Sequence, residues 1–294
     1  MYQETTGLAA LVAPPDRRRR ARAPHRQVRR PEQRVRVLGE TMDLVRPEEV
    51  MQEVTGWIAA GQQAVVANHN LHSLALMARH PGLRRFFDHA DLIQADSRPL
   101  LAWARLLNPS SRAMHRCTYL DWRDHFWSLA HRKGWRVFYL GGAPGVASEA
   151  ASRIGSRHPG VTLVTRDGYF DATAGSADNA DILASIRAFE PHILMVGMGM
   201  PRQELWIADH LDALPDCVVF NVGAAFDYEA GVQRAAPRWM GQVGLEWLFR
   251  LVCDPRRLFV RYCIEPWSLI GPAWRDLRRP ATAGRNPLSP SAGR

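Results

Sequence analysis

The sequence predicts an α/β fold, a Rossmann-like parallel sheet flanked by helices and followed by a C-terminal helical appendage. From residue 35 to about residue 244, short runs rich in β-branched residues alternate with helical patterns, which is typical of a doubly wound sheet. The runs ILMVG (193–197) and VVF (218–220) are apolar throughout, as strands covered on both faces must be. Each run leads into a glycine-rich polar turn. We therefore place a Rossmann-like domain at residues 34–244.

The first elements of the predicted sheet end in polar residues. AVVAN (64–68) predicts a strand, and residues 71–90 predict helical material that is interrupted near Pro81. DLIQAD (91–96) predicts a short strand that ends on a carboxylate, and PLLAWARLL (99–107) predicts the next helix. Strand and helix therefore alternate from the beginning of the predicted domain.

A glycine turn follows the next predicted strand. Residues 135–154 predict a strand, this turn and a helix, and VTLVTRDGYF (161–170) predicts a further strand. In the turn, Gly141, Gly142 and Gly145 lack the Cβ that would keep backbone N–H groups away from a diphosphate at the helix start. The full G-x-G-x-x-G spacing is missing. The turn therefore indicates a phosphate-bearing ligand better than it indicates a dinucleotide.

The positive charge of the chain is concentrated near its N-terminus. The net charge is +9, and much of it lies in RRRRARAPHRQVRR (17–30), within a leader rich in Pro and Ala that has no apolar period. We expect residues 1–33 and 276–294 to be disordered tails, because such segments bury too little apolar surface to fold. Lys133 is the only lysine, which excludes a P-loop and disfavours Schiff-base chemistry.

Cysteine usage and hydropathy indicate a reduced intracellular protein. The four cysteines have no zinc-site spacing, and no apolar run reaches the roughly 18 residues of a spanning helix. The N-terminus also lacks the apolar stretch of a signal peptide. We expect a cytoplasmic protein that can still lie on a membrane surface.

Polar residues that follow the predicted strands are the first candidates for a ligand site, because the crevice of an open α/β sheet lies at the carboxyl ends of its strands. Gln203, Glu204 and Asp227 follow the two apolar runs, although Glu204 alternatively caps a helix. Asp96 is an isolated carboxylate with no Asp-x-Asp partner for a metal, which favours general-base chemistry. The alternative is that Asp96 caps the helix that begins near Pro99.

Six ordered blocks resemble one known family. They are ANHNLHSL, ADLIQAD, FYLGGAPGV, GMGMPRQELWIADH, VGAAFDYEAGVQRAAPRWM and GLEWLFRLVCDPRRLFVRY, and together they span about residues 35–265. This order resembles the WecG/TagA/CpsF family, glycosyltransferase family 26. The resemblance implies inverting sugar transfer, without metal or cofactor, from a UDP-sugar to a polyprenyl-diphosphate-linked acceptor. It also implies a place on the inner face of a bacterial membrane and a role in cell-surface or exopolysaccharide synthesis.

The resemblance also implies roles for individual residues. The family's pocket Asn falls on Asn70, its candidate base on Asp96, its pocket Arg on Arg116 and its Gln on Gln203. Arg116 and the glycine turn would then neutralise the departing diphosphate. The chain departs from the family pattern at two places, which affect the expected sugar contacts and the turn after Asp96. The family's Thr-Pro-Asn is Asn68-His69-Asn70 here, which makes Asn68 a candidate sugar ligand, and its Asp-Gly is Asp96 followed by serine.

The C-terminal block has the composition of an interfacial helix. Apolar residues alternate with arginines over residues 245–275, so apolar groups can enter the headgroup boundary while arginines contact lipid phosphate. An ordinary core helix with a solvated face is the alternative. In relatives this appendage is thought to close over the active site, which implies that Arg250 and Arg257 touch the diphosphate. An exposed helix here can also pack against a second copy of the chain, as a homo-oligomer.

Two other classes of protein stay open. An NAD(P)-dependent oxidoreductase would use the same glycine turn, with Asp167 as the nearest acidic candidate for a ribose ligand. A nucleic-acid-binding protein would account for the basic leader and leave the six blocks unexplained. We therefore expect no nucleic-acid partner.

Overall fold

A computed structural model describes residues 33–237, 240 and 244–278 of the chain. It contains a six-stranded parallel sheet in the order β4-β3-β8-β7-β5-β6 and a separate antiparallel hairpin of β1 and β2. The strands are β1 (Arg34–Val37), β2 (Glu40–Asp43), β3 (Ala64–His69), β4 (Leu92–Ala95), β5 (Arg136–Gly141), β6 (Thr162–Arg166), β7 (Ile193–Gly197) and β8 (Val218–Asn221). The predicted Rossmann-like α/β architecture is confirmed.

Helices cover both faces of the sheet. In the domain they are α1 (Pro47–Ala59), α2 (Leu71–Met77), α3 (Pro81–His89), α4 (Arg98–Leu107), α5 (Tyr119–Lys133), α6 (Val146–Arg157), α7 (Ala177–Phe189), α8 (Arg202–His210) and α9 (Ala225–Glu229). Helices α2, α3, α4, α7 and α8 share one apolar core with one face of the sheet. Helices α1, α5, α6 and α9 form the core on the other face. Two buried faces explain why β7 and β8 are apolar along their length.

The local boundaries follow the sequence closely. The helical stretch predicted over residues 71–90 is divided into α2 and α3, and Pro81 begins α3 because its ring fits the first helical turn. Strand β4 ends at Ala95, which places Asp96 directly at the carboxyl edge of the sheet. The alternation of parallel strands and crossover helices brings all six carboxyl ends to this one edge.

The C-terminal segment, residues 244–278, is helical and packs against the domain. It consists of α10 (Glu246–Cys253), α11 (Pro255–Phe259), a π-helical turn (Val260–Ile264), a 3₁₀ turn (Glu265–Leu269) and α12 (Ile270–Leu277). Buried Leu269 joins the core on the α2 side of the sheet. No helix among the described residues is both long and apolar enough to cross a membrane.

The last helix ends later than the predicted boundary at residue 275. Asp276 is buried, and its Oδ2 accepts hydrogen bonds from the backbone N–H of Leu38 at 2.5 Å and from Nε1 of Trp103 at 3.3 Å. These contacts fix α12 to the β1–β2 hairpin and to α4, so structure continues to Leu277. Residues 1–32 and 279–294 of the predicted tails lie outside the described residues.

Candidate active site

Asp96 lies where the carboxyl ends of β3 and β4 meet. Its backbone N–H donates to the carbonyl of His69 at 2.8 Å, and its Oδ2 lies 3.5 Å from Nδ2 of Asn70. Asn70 is itself fixed, because its Oδ1 accepts from the N–H of Ser73 at 3.0 Å and so caps α2. The predicted pair of Asn70 and Asp96 is therefore in contact.

The helix-cap alternative for Asp96 is not observed. Ser97 caps α4, since its hydroxyl accepts from the N–H of Leu100 at 3.3 Å. Ser97 has a φ of −143°, which is extended backbone that any residue adopts. The replacement of the family's glycine by serine therefore introduces no strain at this turn.

The surroundings of Asp96 adjust its proton affinity. Burial raises the pKa of Asp96 to about 6, while the positive charges of Arg250 and Arg261 and the hydrogen bond from Asn70 oppose that rise. Glu246 adds a smaller upward contribution. A carboxylate with this pKa is ionised at neutral pH and is more basic than an ordinary aspartate. Both properties suit a general base.

Two arginines of the C-terminal segment face Asp96. Arg250 lies on α10 and Arg261 in the π-helical turn, and each carries a buried Nε that has no hydrogen-bond partner among the described residues. Both charges lower the pKa of Asp96 against the effect of burial, and burial together with the charge of Arg250 lowers the pKa of Arg261. The two Nε groups that have no partner among the described residues are donors suited to a bound anion.

Arg250 was among the sequence candidates, whereas Arg261 was missed as a site residue. Residues 250, 257 and 261 are spaced i, i+7 and i+11, which on a continuous helix puts them on one face. That helical spacing was the sequence signal that could have identified Arg261 as a site residue. The side chain of Arg257 lies outside the described residues, so its predicted role stays a prediction.

Arg116 lies beside Asp96 but has its charge compensated. It pairs with Ala95 in an isolated parallel bridge. Its guanidinium donates to Glu246 at 3.0 Å and to Asp121 at 2.6 Å. Arg116 thus has a structural role, because it attaches α10 to the domain, and its expected role as a ligand of the diphosphate stays a prediction.

Gln203 and Glu204 are buried side chains in the first turn of α8. They are 1% and 0% exposed, respectively, because α8 begins at Arg202 and its first turn packs against the end of β8. Glu204 Oε1 accepts from Nδ2 of Asn221 at 2.8 Å and from Nε2 of Gln203 at 2.7 Å, and Gln203 Oε1 accepts from the N–H of Gly223 at 3.1 Å. Burial raises the pKa of Glu204, and these hydrogen bonds oppose the rise. Both side chains therefore have a structural role here, and their direct contact with substrate stays a prediction.

Asn68, on β3, joins this buried network to the edge of the sheet near Asp96. Its Nδ2 donates to the carbonyl oxygen of Asn221 at 2.9 Å, and its Oδ1 is buried without a hydrogen-bond partner among the described residues. The side chain is half-buried. Its amide therefore has an acceptor still to be used, which agrees with its predicted place at the sugar.

The glycine turn lies away from Asp96. Strands β4 and β5 are four positions apart in the sheet, which separates their ends by about 19 Å at roughly 4.8 Å per strand. Gly141 is required by packing, because a Cβ there would lie 2.4 Å from the carbonyl oxygen of Gly197. Gly142 and Gly145 have φ of +71° and +84°, a conformation that favours glycine. The expectation that this turn holds the diphosphate beside the base is not supported by this geometry.

Asp227 lies on α9, the helix that follows β8. Its charge adds to the effect of burial in raising the pKa of Tyr139 on β5, while burial raises the pKa of the adjacent Tyr228, which the charge of Arg250 opposes and those of Glu246 and Asp96 increase. The structure brings together Asn68, Asn70, Asp96, Arg116 and Arg250, and leaves the three glycines apart from them, whereas the predicted contact of Asp227 with substrate stays a prediction. Among the described residues, no three His, Cys, Asp or Glu side chains converge as they would around a metal ion.

Comparison with known proteins decides between the three classes of function. The model of the glycosyl transferase WecG/TagA/CpsF family matches residues 35–283. The protein belongs to this family. It is a glycosyltransferase, so the sequence resemblance is confirmed and the oxidoreductase and nucleic-acid interpretations are set aside.

Curated relatives give the same result. The chain is 28% identical over 195 residues to the N-acetylglucosaminyldiphosphoundecaprenol N-acetyl-beta-D-mannosaminyltransferase of Staphylococcus aureus strain NCTC 8325 / PS 47. That match covers 66% of this chain and 73% of the relative. The enzyme of the same name from strain MRSA252 is similar to the same extent, 28% over 195 residues.

Proposed function

We propose that this glycosyltransferase moves a sugar from a UDP-sugar to a polyprenyl-diphosphate-linked sugar, with inversion and without a metal ion. The product would serve cell-envelope or exopolysaccharide synthesis. The observation that carries the proposal is the position of Asp96, a carboxylate with raised pKa at the strand edge, next to two arginines with unused donors. The names of the relatives, which act on a diphosphoundecaprenol-linked sugar, support the class of acceptor.

The reaction requires a general base for the acceptor hydroxyl and positive charge that stabilises the departing diphosphate. Asp96 takes the proton of the acceptor hydroxyl while that oxygen attacks the anomeric carbon from the face opposite UDP. The bond between the anomeric carbon and the diphosphate oxygen breaks, and UDP leaves with the electron pair. Arg250 and Arg261 stabilise the negative charge that develops on the diphosphate, which is the part that a metal ion has in other transferases.

The exposed surface of the C-terminal segment supports the proposal that the protein lies on the inner face of the membrane. Of the large hydrophobic residues that are exposed in the described chain, eleven come from residues 245–277. They are Leu245, Trp247, Leu248, Val252, Phe259, Val260, Ile264, Trp267, Ile270, Trp274 and Leu277. Tryptophan and aliphatic side chains in one exposed segment suit the headgroup boundary of a bilayer. A second copy of the chain is the alternative occupant of this surface.

A donor and acceptor screen tests the reaction. The full chain, given a panel of UDP-sugars and a polyprenyl-diphosphate-linked sugar, should release UDP only when a matching acceptor is present. An α-linked donor should give a β-linked product by NMR, and EDTA should leave the rate unchanged. Retention of configuration would remove the single-step mechanism, and loss of activity in EDTA that magnesium restores would remove the metal-free one.

Vesicle sedimentation tests the membrane surface. A chain that lacks residues 1–32 avoids binding through the basic leader, and in it the pair Trp267→Ser and Trp274→Ser should reduce binding to anionic vesicles about tenfold or more, because two interfacial anchors are lost. The exposed Leu106 on α4, changed to Ser, is the control. Equal binding by both variants would remove the proposed surface. A concentration-dependent dimer that the tryptophan changes dissociate would assign it to a second copy of the chain.

A further inference from the structure

A buried carboxylate of the C-terminal segment is bound by side chains in and just after α2. Glu265, the first residue of the 3₁₀ turn, is 6% exposed. Its Oε2 accepts a hydrogen bond from Nδ1 of His72, because a carboxylate can only accept, and its Oε1 lies 3.8 Å from Nη1 of Arg79. Helix α2 packs against the 3₁₀ turn over the same stretch. We call these three side chains, Glu265, His72 and Arg79, the α2 anchor.

The α2 anchor is connected to Asp96 from two directions. On the domain side, His72 follows Asn70 by two residues, and Asn70 contacts Asp96. On the side of the C-terminal segment, Glu265 follows Arg261 by four residues. Burial lowers the pKa of Arg261, and the charge of Glu265 opposes this shift. Burial lowers the pKa of His72 as well, and the charge of Arg261 adds to that effect. The anchor therefore lies within electrostatic reach of the arginine that acts on Asp96.

Buried charged pairs fix geometry more effectively than they add stability. The free energy needed to remove two charges from water offsets much of their attraction, so such a pair contributes little net stability. A buried carboxylate that lacks its partners is strongly unfavourable. The C-terminal segment can therefore pack on the domain with Glu265 buried only where Glu265 meets His72 and Arg79. This requirement selects one position for the turn that carries Arg261.

Arg250 is held to the domain in a similar way. Glu246 precedes Arg250 by four residues on α10, and its Oε2 accepts from Nη1 of Arg116 at 3.0 Å. Residues four apart lie on the same face of a helix, so the bound glutamate and the arginine approach the domain together. Each of the two arginines near Asp96 thus has a glutamate four residues away that the domain binds. One glutamate is attached beside β4 through Arg116, and the other is attached at α2.

On the basis of the proposed function, we propose that Glu265 and His72 are positioning residues for sugar transfer, because the α2 anchor sets the place of Arg261 beside Asp96 and the donor diphosphate. Neither Glu265 nor His72 touches the substrate in this role. Their effect on the reaction passes through Arg261. That route separates the anchor from a contact that only stabilises the fold, which would act equally whether or not Arg261 is present.

The sign of a pKa shift tests this role. Besides burial, the groups that act on Asp96 are Arg250, Arg261, Asn70 and Glu246. In Glu265→Gln, direct loss of a negative charge would lower the pKa of Asp96, whereas displacement of Arg261 raises it. We expect a rise of about half a unit or more, because an opposite charge within roughly 4–6 Å lowers an aspartate pKa by about 1–3 units. The measurement is a ¹³C NMR titration of the Asp96 carboxyl in the full chain, assigned by the loss of its signal in Asp96→Asn.

Three further comparisons locate the effect. In an Arg261→Met background, Glu265→Gln should add no further rise, because the cation that it positions is gone. His72→Leu should raise the pKa of Asp96 more than His72→Gln does, since both remove the imidazole but glutamine keeps a donor for Glu265. Glu149→Gln, which breaks an exposed pair with Arg153 on α6, is the control and should leave the pKa of Asp96 unchanged.

The outcomes separate the anchor from the reaction. An unchanged or lowered pKa of Asp96 in Glu265→Gln overturns the positioning role, and so does a rise of equal size in the Arg261→Met background. If Glu265→Gln does not fold, the two His72 variants decide in the same way, and equal pKa values in both overturn the role. The titration needs no turnover, so a wild-type chain that transfers no sugar would remove the proposed function and leave this test in force. Where sugar is transferred, the rise of kcat/KM with pH should move to higher pH in Glu265→Gln as in Arg261→Met, and a shift in Arg261→Met alone overturns the role.

Discussion

Two groups of polar residues at the same edge of the sheet differ in how their hydrogen bonds are used. In the network of Gln203, Glu204 and Asn221, the side-chain amides find internal partners and are closed to solvent. Around Asp96, one carboxylate faces Arg250 and Arg261, which keep unused donors. Position after a strand is therefore not enough to make a ligand site. What distinguishes the two groups is charge: the buried network has one carboxylate held by amide donors, whereas the carboxylate of Asp96 lies near the cations Arg250 and Arg261.

The largest effect should come from the group around Asp96. Asp96→Asn keeps the shape and removes the base, so turnover should fall by roughly 10²-fold or more. UDP binding by calorimetry should change little. Asp167→Asn, at the opposite end of the sheet, is the control and should keep its turnover. Near-normal turnover of Asp96→Asn with saturating substrates would remove Asp96 from the mechanism and erase the difference between the two groups.

Removing a cation should weaken binding of the donor. Arg250→Met and Arg261→Met each lose a charge that faces the proposed diphosphate, and the Kd for UDP should rise about tenfold or more. Arg256→Met, at an exposed position of the same segment, should bind UDP normally. An unchanged Kd in both pocket variants would mean that their charges serve only to adjust the pKa of Asp96.

The pH dependence of kcat/KM should show the titration of Asp96. Asp96 must be ionised to accept a proton, so kcat/KM should rise about tenfold per pH unit up to about 6 and then level off. Arg261 lowers the pKa of Asp96, so Arg261→Met should move this acid limb to higher pH. Asp96→Asn should lose the limb. A wild-type profile that is flat between pH 5 and about 7 would contradict the raised pKa.

The smallest effect should come from the closed network, and it should be one of stability. Gln203→Ala leaves the N–H of Gly223 without its acceptor and removes one of the two donors to Glu204 Oε1, which costs about 1–3 kcal/mol. The thermal midpoint should therefore fall by several degrees, whereas the exposed Gln62→Ala should leave it unchanged. An unchanged midpoint together with lost turnover would move Gln203 back among the substrate ligands, where the sequence places it.

Features that depend on neighbours along the chain could be predicted from sequence. The strands, the break at Pro81 and the position of Asp96 at a strand end all follow from local pattern. The order of strands in the sheet does not, because crossovers place β4 and β5 four positions apart although they are consecutive in sequence. The glycine turn was therefore expected next to the base. The burial of Gln203 was missed for a similar reason, since it depends on how α8 packs against the loop after β8.

The bond between Asp276 and the N–H of Leu38 has a consequence for the timing of synthesis. The β1–β2 hairpin is among the first described parts to leave the ribosome, and α12 is among the last, yet each holds the other in place. Arg250 and Arg261 are carried to Asp96 by the segment that this contact anchors. The two arginines near Asp96 therefore belong to a segment whose last described helix is translated after the whole sheet.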